Sequence, residues 1–135
     1  MRTPAVQGAA LRFISSRTHS VIDYGVGVLL ILAPYVLGFA DGTAAQWVPQ
    51  ALGALVIGQS LLTRYEGGVV GLIPMPVHLA LDAANGVLLA ASPWLFGFAD
   101  RVAWPHLLMG LAEIAVVLMS RSVPTYPGTT PLPAE

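Results

Sequence analysis

Four long apolar runs alternate with short polar segments along the chain. The runs cover residues 20–40, 42–63, 79–98 and 103–120. Each contains at most one charged residue, and each is close to the roughly 20 residues that a helix needs to cross a bilayer. The pattern therefore predicts an all-α, polytopic membrane protein with four transmembrane helices. Four core helices of a soluble protein are the alternative, but such helices would lack a polar face.

The composition favours lipid rather than water as the surroundings. Hydrophobic residues make up 56% of the 135 residues and charged residues 10%, whereas a soluble domain has about 25% charged residues. The net charge of −1 gives no basic surface, so no nucleic-acid partner is expected. The chain has no cysteine and no phosphate-loop, zinc-protease or serine-hydrolase motif. We therefore expect no enzyme, no cofactor and no metal site.

The arginines indicate the orientation of the helices, because cytoplasmic loops accumulate basic residues. Five arginines fall on one side of a four-span arrangement, at positions 2, 12, 17, 64 and 121. Arg101 alone lies on the other side. We expect both termini in the cytoplasm and the turns at 41–46 and 99–102 on the outer face. Aromatic residues that suit the headgroup layer gather at the same outer ends: Tyr35, Phe39, Trp47, Trp94, Phe98 and Trp104.

The chain also repeats itself at an interval of 59 residues. The following residues each recur as the same amino acid 59 positions later: His19, Asp23, Gly27, Pro34, Gly38, Phe39, Ala40 and Asp41. The repeated unit is a helical hairpin, and two spans per unit make both copies insert the same way up. The sequence thus predicts two parallel-duplicated helical hairpins.

These hairpins define the expected organisation of the chain. The first repeat covers residues 19–64 and the second covers residues 78–121, with a cytoplasmic connection at 65–77 between them. A cytoplasmic segment at 1–18, with a candidate interfacial helix at 5–16, precedes the first repeat. A Pro-rich tail at 122–135, expected to be extended and mobile, follows the second.

One motif in the repeat has a known counterpart. The segment 91–98, ASPWLFGF, and its partner 33–39, APYVLGF, resemble the signature of the SPW repeat family of small bacterial membrane proteins. The repeat of that family is two transmembrane helices with Ser-Pro-Trp in the first. Ser92, Pro93 and Trp94 match it in full, whereas the first copy has Ala-Pro-Tyr instead. The resemblance implies a multi-pass protein of the bacterial inner (cytoplasmic) membrane and implies no reaction or ligand.

The prolines of this motif have a physical consequence of their own. A proline inside a helix leaves the carbonyl four residues earlier without its donor. Pro93 frees the carbonyl of Leu89, for which Ser92 or a group on the fourth helix is a candidate donor. We expect Pro34 and Pro93 to bend or end their helices, to place Tyr35 and Trp94 at the outer interface, and to precede a turn at glycine. A hinge in a transport cycle is the alternative.

A second repeated pattern carries ionisable groups. It places His19, Asp23 and Gly27, and likewise His78, Asp82 and Gly86, along one helical face. An aspartate facing lipid costs several kcal/mol, so the face is expected to be buried. The helix dipole or ion pairs with Arg64 and Arg121 are candidate compensations. A cation or proton site, or a contact with another subunit, remains open. The histidines lie too near the border to enclose a haem.

Glu113 has no counterpart in the first repeat. A carboxyl at its depth in the fourth helix needs a partner or a proton. Asn85, on the third helix, is the candidate partner, either within the chain or across an oligomer interface. His106, near the outer end of the fourth helix, is expected to be an interfacial group. Pro49 and Pro105 are expected to lie in the first turns of the second and fourth helices and to mark where these helices start.

The function expected from these features is structural. A non-catalytic scaffold or accessory subunit, which self-associates or joins other membrane subunits in lipid, fits the lack of soluble loops. The alternative is a small oligomeric transporter or channel. Its path would use candidate ligand or ion residues at His19, Asp23, His78, Asp82 and Glu113.

Overall fold

A computed structural model of the protein describes residues 11–123, which form four α-helices and no strand. The helices are α1 (Ser16–Val36), α2 (Ala44–Leu62), α3 (Met75–Leu95) and α4 (Trp104–Met119). The all-α prediction is confirmed, and each helix lies within or close to one predicted apolar run. The tail from 124 onward and residues 1–10 of the predicted N-terminal segment lie outside the described residues. Residues 12–15, within the candidate interfacial helix, are not helical.

Side-chain caps and prolines define where the helices begin. Ser15 caps α1 by accepting the Thr18 N–H at 3.1 Å, and Thr43 caps α2 by accepting the Ala45 N–H at 3.3 Å. Such caps satisfy N–H groups that have no partner inside the helix. Helices α3 and α4 each have a proline in their first turn, where a missing N–H costs nothing. The predicted starting role of Pro105 agrees with this position.

The two motif-bearing helices end in the same way. Gly38 and Gly97 follow the ends of α1 and α3 with φ angles of +77° and +71°, which other residues rarely adopt. Beyond each glycine, a phenylalanine N–H donates back to the motif proline carbonyl, at 2.9 Å to Pro34 and 2.8 Å to Pro93. This is the Schellman arrangement that closes a helix with a left-handed residue. The predicted turns at these glycines are confirmed.

Each hairpin is packed through glycines. A methyl group on Gly53 of α2 would lie 2.6 Å from the carbonyl oxygen of Gly27 on α1. A methyl group on Gly110 of α4 would lie 2.5 Å from the carbonyl oxygen of Gly86 on α3. Because these distances exclude any side chain, the glycines let the two backbones of each hairpin touch.

Backbone contacts between the hairpins close the four helices into a ring. Ile14, just before α1, pairs with Ser120 after α4, and Ile73, just before α3, pairs with Thr63 after α2. The turns at the opposite end are also joined, since the Arg101 guanidinium donates to the Asp41 carboxylate. The hairpins are therefore connected at both ends of the bundle.

Polar and apolar side chains are distributed in an unusual way. Histidine, aspartate, glutamine and serine side chains are buried between the helices, while large apolar side chains are exposed on all four. By length and composition, α1 is the one helix of the described part that clearly qualifies to cross a membrane, and α4 is apolar but has 16 residues. Of the four helices predicted to span a membrane, α1 is thus the one in the described residues that clearly meets these criteria.

A buried histidine–aspartate cluster as the candidate functional site

Two histidines and two aspartates meet at the centre of one end of the bundle. His19 and Asp23 come from α1, and His78 and Asp82 come from α3; the exposed fraction of each residue is 5% or less. Both pairs are spaced i, i+4, so the two side chains of a pair lie on one helical face. The faces of α1 and α3 point at each other, which brings the pairs together. We call these four residues the His–Asp cluster.

Each imidazole of the cluster reaches both carboxylates. His19 Nε2 lies 3.1 Å from Asp23 Oδ1 and 3.0 Å from Asp82 Oδ2. His78 Nε2 lies 3.0 Å from Asp23 Oδ2 and 3.0 Å from Asp82 Oδ2. The predicted contact between each histidine and its neighbouring aspartate is present, and it is accompanied by equally short contacts between the hairpins.

The other ring nitrogen of each histidine contacts a hydroxyl from the opposite hairpin. His19 Nδ1 lies 2.6 Å from Ser120 Oγ, and His78 Nδ1 lies 2.8 Å from Thr63 Oγ1. Both hydroxyls donate their own proton, at 2.7 Å, to the carbonyl four residues earlier in their helix. The hydroxyl oxygens are therefore free to accept, and both Nδ1 atoms carry a proton that they donate.

The aspartates have further donors on one side of the cluster. Gln59 donates to Asp82 Oδ1, and Ser60 donates to Asp23 Oδ2 at 3.4 Å. The Tyr65 hydroxyl donates to Asp23 Oδ2 at 2.7 Å. Burial and the Asp23 carboxylate raise the pKa of Tyr65, so its hydroxyl keeps the proton that it donates. All three donors belong to α2 or to the segment that follows it.

The predicted compensation of the aspartates by arginines is corrected by the structure. Arg64 and Arg121 are exposed, and the Nε atom of each donates to a backbone carbonyl. Asp23 and Asp82 are contacted by the histidines instead. The helix-dipole explanation is corrected as well, because neither α1 nor α3 has an acidic residue in its first turn.

A cavity of about 100 Å³ adjoins the cluster between α1 and α4. His19, Asp23 and Asp82 line one part of it, Glu113 lines another, and its other lining residues are apolar. Glu113 is 8% exposed and its Oε2 atom has no hydrogen-bond partner. The predicted contact with Asn85 is not formed within the chain, since Asn85 Nδ2 is buried without a partner too. Glu113 instead faces the cavity beside the cluster.

His106 and Pro49 occupy positions that differ from the sequence prediction. His106 is completely buried and is not an interfacial group. Its Nε2 atom donates to the carbonyl of Ala45 at 2.8 Å. Pro49, predicted to start a helix, is the sixth residue of α2 and frees that same carbonyl. His106 of α4 thus donates to the Ala45 carbonyl, which lacks its helical donor because Pro49 has no N–H.

The proline motif behaves largely as predicted. The Ser92 hydroxyl donates to the carbonyl of Leu89 at 2.7 Å and replaces the N–H that Pro93 lacks. Tyr35 and Trp94 are each 60% exposed beside the turns. Fewer aromatic side chains are exposed at this end than the sequence predicted, because the two phenylalanines after the turn glycines are buried against the His106 ring.

The sequence identified the four cluster residues and left a cation or proton site between the two copies open as an alternative. It placed one histidine and one aspartate on each of two helices and predicted no metal ligands. In the structure, one ligand atom from each of the four residues can be chosen so that all lie within 4.8 Å of one another. The available signal was the recurrence of the same His-x3-Asp spacing in two copies of one hairpin.

Comparison with known proteins gives one result. The family model of the SPW repeat domain matches residues 17–120, which is more than half of the chain and includes the whole His–Asp cluster. No curated protein and no solved structure matches the chain.

Proposed function

The chain belongs to the SPW repeat family, and from this premise we propose that it is a four-span protein of the bacterial inner membrane. In this proposal it is a non-catalytic scaffold or accessory subunit that self-associates or joins a larger membrane complex. The observation that carries the proposal is the inverted distribution of side chains, with ionisable groups inside the bundle and large apolar groups outside.

The inverted distribution favours lipid around all four helices. Large apolar side chains cover the outward faces, for example Leu32 on α1, Leu55 on α2, Val87 on α3 and Leu108 on α4, which are 48% to 60% exposed. Soluble monomers rarely expose continuous apolar surface of this kind. Ionisable groups inside a membrane protein normally face the bundle interior, as the His–Asp cluster does.

A duplication with both copies inserted the same way up accounts for the contacts that recur in the two halves. The hydroxyl contact of His19 with Ser120 has its counterpart in that of His78 with Thr63. The glycine contact of each hairpin recurs in the other as well. In the proposed orientation, which the arginine distribution supports, the cluster lies near the cytoplasmic face and the aromatic turns lie near the outer face.

The scaffold role rests on how the hairpins are connected. Contacts across the cluster join α1 to α3 from within, so the outward faces remain available for other helices. Helices in lipid associate through packing and small residues rather than through the hydrophobic effect. A bundle with an internally fixed arrangement and free apolar faces is suited to such association.

Single cysteines test the four-span arrangement, because the chain has no cysteine of its own. Val69 in the connection and Asp100 in the second outer turn are both exposed. We expect a membrane-impermeant maleimide to label Asp100→Cys in intact cells, and to label Val69→Cys only after the cells are permeabilised. Equal labelling of both variants in intact cells would contradict the proposed topology.

Native mass spectrometry of the protein in lipid nanodiscs prepared directly from membranes tests the scaffold role. We expect complexes that contain several copies of the chain or the chain with another membrane subunit. Recovery of the single chain alone, from membranes in which the labelling experiment succeeds, would contradict the scaffold role but not the topology.

One observation favours the alternative of a small oligomeric transporter or channel. Asp23, Asp82 and Glu113 all line the cavity between α1 and α4. Cation flux into vesicles that contain the purified protein, lost in Glu113→Gln while assembly is retained, would favour transport. Unchanged flux in this variant would leave Glu113 without a transport role.

A further inference from the structure

We propose that the His–Asp cluster binds one divalent transition-metal ion of the zinc type between α1 and α3. The ligands are the Nε2 atoms of His19 and His78 and one carboxylate oxygen each from Asp23 and Asp82. This inference concerns the geometry of the cluster and does not depend on the scaffold role.

The spacing of the ligand atoms suits a small four-coordinate ion. The four contacts between Nε2 and carboxylate atoms are 3.0 to 3.1 Å, and the set lies within 4.8 Å. Zinc–nitrogen and zinc–oxygen bonds near 2.1 Å in a tetrahedron separate neighbouring ligands by about 3.4 Å. Small side-chain movements therefore convert the observed arrangement into a tetrahedral site.

The contacts of the outer ring nitrogens prepare the histidines for a metal. Because Ser120 and Thr63 each give their proton to a helix carbonyl, they accept the Nδ1 proton of His19 and His78. A neutral imidazole with its proton on Nδ1 presents the Nε2 lone pair to the cluster centre. Metal-bound histidines usually donate their other N–H to a neighbouring acceptor in this way.

The charge of the cluster matches a divalent ion. The two carboxylates and two imidazoles lie in a region where Asp82 and both histidines are almost completely buried. Net charge is costly away from water, and the metal-free cluster avoids it when both imidazoles are protonated and paired with the carboxylates. One M²⁺ ion neutralises the four side chains and takes the place of protons between Nε2 and the carboxylates.

Glu113 is an independent indication of a ligand at this place. Its carboxylate is more than nine-tenths buried, has an unpartnered Oε2 atom, and lines the same cavity as His19, Asp23 and Asp82. A cavity of about 100 Å³ holds several water molecules, each of which needs roughly 10–15 Å³ of such volume. Glu113 can therefore accept a hydrogen bond from a water molecule next to the ion.

The cluster is closed on its other side. Gln59, Ser60 and Tyr65 donate to the aspartates there. On the opposite side, Ala112, Glu113 and Val116 of α4 line the cavity. An ion would therefore enter and leave on the side of Glu113. Imidazole and carboxylate ligands without cysteine suit Zn²⁺ or Co²⁺ and do not suit Cu⁺, which prefers sulfur.

Cobalt titration of the full-length protein in detergent, after treatment with a chelator, tests the proposal. We expect one Co²⁺ per chain and visible absorption bands of tetrahedral intensity, which one equivalent of Zn²⁺ removes. Elemental analysis after dialysis against Zn²⁺ is expected to give one zinc per chain.

Variants locate the ion. His78→Gln and Asp82→Asn are expected to lose the tetrahedral absorption, and Thr63→Ala is expected to weaken binding by about 10- to 100-fold. His106→Gln is the matched control, because His106 is equally buried but contacts Ala45 outside the cluster. It is expected to bind cobalt like the original protein.

Two results would overturn the proposal. One is the absence of stoichiometric cobalt and zinc binding by the unmodified protein, a measurement that does not depend on whether any variant folds. The other is equal loss of binding in His78→Gln and His106→Gln. Either result would leave the labelling and assembly tests of the proposed function unaffected.

Discussion

At the residue scale, side chains replace the backbone donors that prolines remove. Ser92 serves the carbonyl freed by Pro93 from the adjacent position, and His106 serves the carbonyl of Ala45 from another helix. A buried carbonyl left without a donor costs about 1–3 kcal/mol, so both donors stabilise the bundle. The motif serine therefore has a defined structural role.

Ser92→Ala is expected to destabilise the folded protein by about 1–3 kcal/mol, because it leaves the Leu89 carbonyl buried without a donor. The hydroxyl is completely buried, so water cannot easily replace it. Thermal unfolding in detergent measures the effect. An unchanged unfolding temperature would mean that the Leu89 carbonyl does not depend on this donor.

Of these two donors, only Ser92 was predictable from the sequence. Ser92 lies one residue before its proline, so helix geometry alone gives the contact. His106 and Ala45 are 61 residues apart, and no local pattern relates them. For the same reason the sequence predicted a common face for His19 and Asp23 but did not predict the short contact between His19 and Asp82.

Asp41 links the turn after α1 to the turn after α3 in a way that depends on pH. The hydroxyl and N–H of Thr43, together with the Arg101 guanidinium, lower the pKa of Asp41 from 3.8 to about 2. Because its pKa is lower in the folded protein, the ionised carboxylate stabilises the fold above about pH 4. This stabilisation is lost as the pH falls through 2.

Asp41→Asn is therefore expected to be less stable than the unmodified protein at pH 7, with a difference that shrinks toward pH 2. Thermal unfolding of both proteins across this range measures the difference. A gap that stays constant with pH would show that ionisation of Asp41 is not its source.

At the scale of helices, close backbone contact holds each hairpin together. Gly53 and Gly27 touch in the first hairpin, and Gly110 and Gly86 touch in the second. The sequence indicated four helices because their apolar runs are long. Which glycine meets which helix depends on the crossing of the helices, which the length and polarity of the runs do not determine.

Gly53→Ala is expected to destabilise the protein by about 1–3 kcal/mol, because the added methyl group would meet the Gly27 carbonyl oxygen. Gly58→Ala on the same helix is the matched control. No atom lies within 4 Å of a methyl group there, so the substitution is expected to stabilise the helix by up to about 1 kcal/mol. Equal effects of the two substitutions on denaturant or thermal unfolding would contradict the glycine contact.

At the scale of the whole molecule, the His–Asp cluster connects the two hairpins. Within each hairpin the two helices already touch through their glycines. His78→Ala is expected to destabilise the protein by about 3–5 kcal/mol, because it leaves carboxylates buried without their partner. Val87→Ala, on the outward face of the same helix, is expected to change little. Comparable losses in the two variants would show that the cluster does not hold the hairpins together.

The contacts between His19 and Asp82 also constrain the order of events during synthesis. Ribosomes complete the first hairpin before α3 exists, so in the proposed four-span arrangement His19 and Asp23 would enter the bilayer without their partners from the second half. Ser120, the last of these partners to be made, follows α4. The nascent first hairpin would therefore remain dependent on the insertion machinery, or on water near the membrane border, until translation has almost reached its end.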